Sequence, residues 1–101
     1  MVTHGSCDFA GGLVEVATRG HLMEITRGDR LVAEGAVGKS RVFPLTNEQK
    51  YASMTAQKSQ ARIVVLDKTP ELYQAVVSSG RIHARGTVHG QCSFTLSARS
   101  R

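Results

Sequence analysis

The sequence predicts one mainly β domain carrying one or two short helices. Three observations predict it. Residues 81–99 alternate apolar with polar side chains, and residues 13–19 do so in part, the period of a half-buried strand. RIVVLD (62–67) is a continuous apolar run of strand length. TPELYQAVVSSG (69–80) carries the start and stop signals of a helix. At 101 residues the chain is one domain, residues 1–101, with a modest core. Another small α+β fold is the alternative.

In chain order, LVEVATR (13–19) reads as a strand. HLMEITR (21–27) and RLVAEGAV (30–37) flank Gly28-Asp29, a turn dipeptide. Thr18-Arg19-Gly20 recurs as Thr26-Arg27-Gly28, marking two strand ends. If Val14, Met23 and Leu31 point inward, Leu13, Leu22 and Val32 point outward. RVFPL (41–45) is a further short strand, confined by Pro44 to an edge or a strand end because proline lacks the ladder donor. Thr46 with Gln49 matches a capping box. The stretch that follows is polar almost throughout, so residues 47–60 read as a loop or weak helix. RIVVLD suits a strand buried on both faces. In the next segment Thr69 is the N-cap, Pro70 the first helical residue, and Glu71 sits at the positive dipole end. Leu72, Ala75 and Val76 make its apolar stripe, and Gly80 ends it.

RIHARGTVHG (81–90) and QCSFTLSAR (91–99) alternate in succession, which implies a terminal hairpin. Opposed residues share a face. An odd-length connection, or a bulge, is therefore needed to set Val88 against Cys92 and Gly86 against Phe94. Ile82, Val88, Phe94 and Leu96 then join Val65 in the core. Arg81, His83, Arg85 and Arg99 collect on the outer face.

The net charge of +5 is uneven. Residues 1–71 hold nine Lys/Arg against all eight acids, while residues 72–101 hold four Arg and no acid. Such a basic half suits an anionic partner. No apolar run approaches the ~18 residues of a membrane span, so no membrane partner is expected. The opening MVTHGSCDFAGG lacks a signal pattern, and two cysteines make no disulfide framework. Reduced thiols and a cytoplasmic location are the expectation.

From residue 62 the order is buried strand, short helix, glycine, strand, hairpin, strand. Ser79-Gly80-Arg81 and Ala84-Arg85-Gly86-Thr87-Val88 stand where single-strand binders place a helix, a glycine and a glycine-bearing strand. Residues 62–99 thus resemble the second half of an OB-fold nucleic-acid-binding protein. The resemblance implies a small OB-like β-barrel, with residues 13–37 supplying its first strands. The break at Gly28-Asp29 and the scarcity of aromatic residues depart from the family pattern.

Binding a nucleic-acid strand needs cations along a groove and flat groups for bases. Arg81, His83, Arg85 and Arg99 on the ribbon would meet phosphates or stack on bases. Arg41, Lys50 and Lys58 would add charge, and Tyr51 a stacking surface. The reading is a small basic, non-enzymatic nucleic-acid-binding protein, with single-stranded DNA or RNA favoured. The alternative is a protein-binding or oligomeric accessory or inhibitor module, a possible homodimer. An enzyme is not expected: His83 and His89 lie roughly 20 Å apart on one strand at ~3.3 Å per residue, too far to share one phosphate. No catalytic motif appears. Four His and two Cys show no metal-ligand spacing, so neither metal nor cofactor is expected.

Overall fold

The computed structural model describes residues 2–9, 12–45, 50–67, 69, 71, 72, 74, 78 and 88–98, with the backbone alone at Phe9, Gly12 and His89. Its strands are β1 (Val2–Phe9), β2 (Gly12–Arg19), β3 (Leu22–Arg27), β4 (Arg30–Ala36), β5 (Ser40–Pro44), β6 (Lys50–Ala56), β7 (Gln60–Asp67), β8 (Val88–Thr95) and β9 (Ser97–Ala98). They form two antiparallel sheets. Sheet A has the order β4-β3-β2-β1-β9 and sheet B the order β5-β6-β7-β8. The mainly β expectation is met, in a two-sheet arrangement.

The first four strands form a meander because glycine permits its turns. Arg19 pairs with Leu22 and Arg27 with Arg30, leaving the two-residue loops Gly20-His21 and Gly28-Asp29. Gly20 and Gly28 have φ of 60° and 63°, the left-handed conformation that two-residue hairpins take up. The repeated Thr-Arg-Gly triplets therefore do mark strand ends. Val14, Val16, Met23 and Ile25 point into the core, while Leu13 and Leu22 are exposed. A register shift after Ile25 reverses the facing expected for the next pair: Leu31 opposes Thr26 and is exposed, while Val32 packs against the core.

Three expectations for the second half need correction. Residues 50–56 are neither loop nor weak helix. They are β6, an interior strand between β5 and β7. Ala52, Met54 and Ala56 alternate inward, and Tyr51, Ser53 and Thr55 outward. Small inward residues and hydroxylated outward ones hid the period. Next, residues 88–95 run as one strand along β7, with no hairpin turn at residues 89–91. Val65 opposes Gly90 and Leu66 opposes Val88, so His89 is the extra residue of a bulge. The bulge changes the facing within a continuous strand. Cys92 and Phe94 consequently pack on the core, whereas Val88 lies outside, 55% exposed rather than buried.

The third correction concerns the cysteines. Cys7 and Cys92 form a disulfide, with their Cα atoms 6.5 Å apart. It joins β1 of sheet A to β8 of sheet B across the core. The chain itself also crosses there: Leu96, 4% exposed, lies between β8 and β9, and its N–H donates to the Ser59 carbonyl at 2.8 Å. Two further core expectations hold, since Val65 and Leu96 are buried. Phe94 covers a glycine, but that glycine is Gly5 of β1; a Cβ there would lie 2.9 Å from the Phe94 ring. Ile82 and Gly86 lie outside the described residues.

Beyond β7, Glu71, Leu72, Gln74 and Ser78 are helical. The Leu72 N–H donates to the Thr69 hydroxyl at 3.2 Å, the N-cap bond anticipated from the sequence. The Ser78 hydroxyl donates back to the Gln74 carbonyl. Leu72 packs with Val42, Tyr51 and Leu66 in a second cluster on the outer face of sheet B. Leu66 and Val64 face that cluster while Ile63 and Val65 face away from it, so β7 is apolar on both sides, as its sequence requires. Pro70, Ala75, Val76 and Gly80 lie outside the described residues.

Candidate nucleic-acid interface

The register of sheet B arranges its outward side chains in cross-strand rows. Ser40, Thr55, Arg62 and Ser93 make one row. Val42, Ser53, Val64 and Gln91 make the next; Pro44, Tyr51, Leu66 and Val88 make the third. The face is thus graded. Its third row is apolar and meets Leu72, and its first row offers hydroxyls around a guanidinium.

At the polar end, Thr55, Gln57, Gln60, Arg62 and Ser93 line a shallow concavity of about 290 Å³. Arg62 is exposed, and its Nη2 donates to the Gln91 Oε1 at 3.0 Å. That bond steers the guanidinium along the sheet and leaves it further N–H donors, since arginine carries five. The Ser40 and Thr55 hydroxyls bond one another at 2.7 Å beside it. Two turns close this end. Gly38, with φ of 90°, donates its N–H to the Ala56 carbonyl at 2.8 Å, and Gln57 donates to Gln60 at 2.7 Å. Lys39 and Lys58, both exposed, stand in these turns.

Charge separates between the sheets. Residues 37–45, 50–67 and 88–95 carry Lys39, Arg41, Lys50, Lys58 and Arg62 against Asp67 alone, a net of +4. Residues 2–9, 12–36 and 97–98 carry three arginines against five acids, a net of −2. The described part of sheet B is therefore itself basic, beyond the arginine-rich end that the sequence makes conspicuous.

The anticipated binding residues fare differently. Lys58 stands at the polar end. Arg41 is exposed but takes the inward-facing row position opposite Met54, and its stem lies against Gly35 of β4, so it marks the corner between the sheets. Lys50 opposes Asp67 at the far end of β6. Tyr51 is corrected: at 3% exposure its ring belongs to the second cluster and presents no stacking surface. Arg81, His83, Arg85 and Arg99 lie outside the described residues. In the sequence Arg62 is only the first residue of the apolar run RIVVLD. Its central place emerges only from the pairing of β6, β7 and β8. Among the described residues, no group of three or more His, Cys, Asp or Glu side chains could hold a metal ion.

No protein family, curated protein or solved structure matches the chain.

Proposed function

We propose that the chain is a non-enzymatic binding module for a phosphate-bearing strand, nucleic acid with single strands favoured, held along the polar end of sheet B. The observation that carries this reading is Arg62, fixed by Gln91 in an open concavity lined with hydroxyls and amides, with Lys39 and Lys58 beside it and no acid among these residues. Guanidinium and hydroxyl groups both donate to phosphate oxygens. Arg62 also has a planar face on which a base can lie, and Tyr51 is not needed for that role. The OB-like barrel belongs to the same proposal. It is supported by the strand and Thr69-capped helical segment from residue 60 onward, and by the crossing from sheet B to sheet A at Leu96.

The test is fluorescence anisotropy with a labelled single-stranded oligonucleotide over a salt series. Lys58→Ala/Arg62→Ala should weaken binding and reduce the log–log salt slope by about two if each cation neutralises one phosphate. Arg19→Ala, on sheet A, should leave both unchanged. Equal binding by the Lys58/Arg62 variant and the parent at every salt concentration would refute the reading.

A second reading, a protein-binding accessory or inhibitor module, is favoured by the disulfide. Disulfides persist in oxidising compartments, where a protein partner is the commoner ligand. The same bond removes the ground on which a cytoplasmic location was expected. Among the described residues no helix is long and apolar enough to cross a membrane.

A further inference from the structure

The outer face of sheet A is built differently from that of sheet B. Its β1 and β2 rows present His4, Ser6 and Asp8 against Ala17, Glu15 and Leu13. Glu24 of β3 has Ala17 on one side and Glu34 of β4 on the other, with no cation directly opposite it. Like charges in cross-strand register oppose folding. Glu15 lies one row away on the same face, so three carboxylates gather across β2, β3 and the edge strand β4, with Arg19 towards one end. Leu13, Leu22 and Leu31 stand exposed around them. A face that places like charges in register and leaves leucines in water gains from a basic partner that covers it. The molecule carries a basic face of its own on the opposite side.

We propose that sheet A of one copy docks on the polar end of sheet B of a second copy. Glu15, Glu24 and Glu34 would meet Arg62 and Lys58 of the second copy. The contact joins two different faces, so it does not close on itself and repeats as a stack. It is also weak. Four strands at ~4.8 Å spacing and seven residues at ~3.3 Å rise give a face of about 440 Å². Leu72 and its neighbours occupy one end of sheet B, which reduces that further. Twice this area falls below the ~1,200 Å² at the small end of stable interfaces. The association is therefore driven by charge, grows with protein concentration and is lost at high salt. It needs no nucleic acid, so it stands or falls separately from the oligonucleotide binding proposed above.

Sedimentation velocity on the oxidised protein without nucleic acid tests it. At low salt the weight-average sedimentation coefficient should rise with concentration without a dimer plateau, and at ~0.5 M salt it should fall to the monomer value. Glu24→Lys/Glu34→Lys makes both faces basic, and Lys58→Glu/Arg62→Glu cancels the net charge of sheet B and turns its polar end acidic. Each variant alone should stay monomeric, and an equimolar mixture should associate. The neutral change Glu24→Gln/Glu34→Gln should also weaken self-association while leaving oligonucleotide anisotropy unchanged at protein concentrations where the parent is monomeric, since both ligands use Arg62 and Lys58; this keeps the test open if a reversal impairs folding. A monomer at every concentration in low salt, a plateau at the dimer, or a mixture of the two reversed variants that stays monomeric would each overturn the proposal.

Discussion

Replacing Gly5 by alanine tests the seam between the two sheets with a single methyl group. Gly5 opposes Val16 in the β1–β2 ladder, and its missing side chain would point toward the crossing of the last strands. A Cβ built there would collide with the Thr95 carbonyl oxygen and would lie 2.9 Å from Phe94 Cδ2 and 3.2 Å from Leu96 Cδ2. The first contact decides the outcome. A backbone oxygen at the end of β8 moves only if the strand moves, and β8 is held three residues earlier by the disulfide. The other contacts are to side chains already packed on the core, so neither opens a space. Overpacking of this kind costs about 1–3 kcal/mol, with the upper end appropriate where backbone must shift. At about 4–8 °C per kcal/mol for a domain of this size, a cost near 3 kcal/mol lowers Tm by about 12–24 °C. Thermal unfolding of the oxidised protein by circular dichroism provides the measurement. Ser6→Ala, one residue along and exposed, serves as the control and should stay within about 0.5 kcal/mol of the parent. A Gly5→Ala protein that melts with the Ser6→Ala protein would refute the close approach of β1 to the β8–β9 crossing.

The remaining predictions address the bond, the buried ring and the cap. Cys7→Ser/Cys92→Ser should cost roughly 4–5 kcal/mol by the chain-entropy relation for a sequence separation of 85, read from urea unfolding of oxidised parent and variant; equal midpoints would show that the bond constrains nothing. Tyr51→Ala should cost about 3–5 kcal/mol, the range for deleting a buried aromatic ring, and a change near zero in the same assay would return the ring to the surface. Thr69→Ala should cost about 0.5–2 kcal/mol by loss of the bond from the Leu72 N–H, checked by calorimetry, with no change if that cap bond is absent.

The parts of this fold that depend on local backbone chemistry were open to sequence reasoning. The turns at Gly20 and Gly28 need left-handed residues, Pro44 needs an edge, and Thr69 caps the turn that begins after it. The parts that depend on pairing were not. β6 reads KYASMTA, in which alanine and methionine do the inward work of valine and isoleucine, so its period is visible only once β5 and β7 flank it. The change of facing near Gly90 is legible in the sequence, but a bulge and a turn leave the same mark on an alternating pattern. Val88 therefore lies on the side opposite to the one a turn would give it. Cys7 and Cys92 are 85 residues apart, and nothing local relates them. The same holds for the candidate site: Arg62 is one cation among several along the chain until registers with Thr55 and Ser93 set hydroxyls on both sides of it. Tyr51 shows the converse error, an aromatic residue credited with exposure because the segment around it looked polar.

The bond between Cys7 and Cys92 also sets how the molecule bears tension. Of the 101 residues, 1–6 and 93–101 lie outside the loop it closes. Force applied at Met1 and Arg101 can draw out those two flanks, on the order of 50 Å at ~3.4 Å per residue, before the covalent link carries the load. The reduced chain, fully drawn out, would span on the order of 340 Å. Between the two cysteines the strands are shielded from the pull, and a peptide bond cut anywhere in that interval leaves both pieces tethered. A protein exposed to shear or to proteases would keep its grooved sheet assembled under conditions that unravel the same sequence without its link.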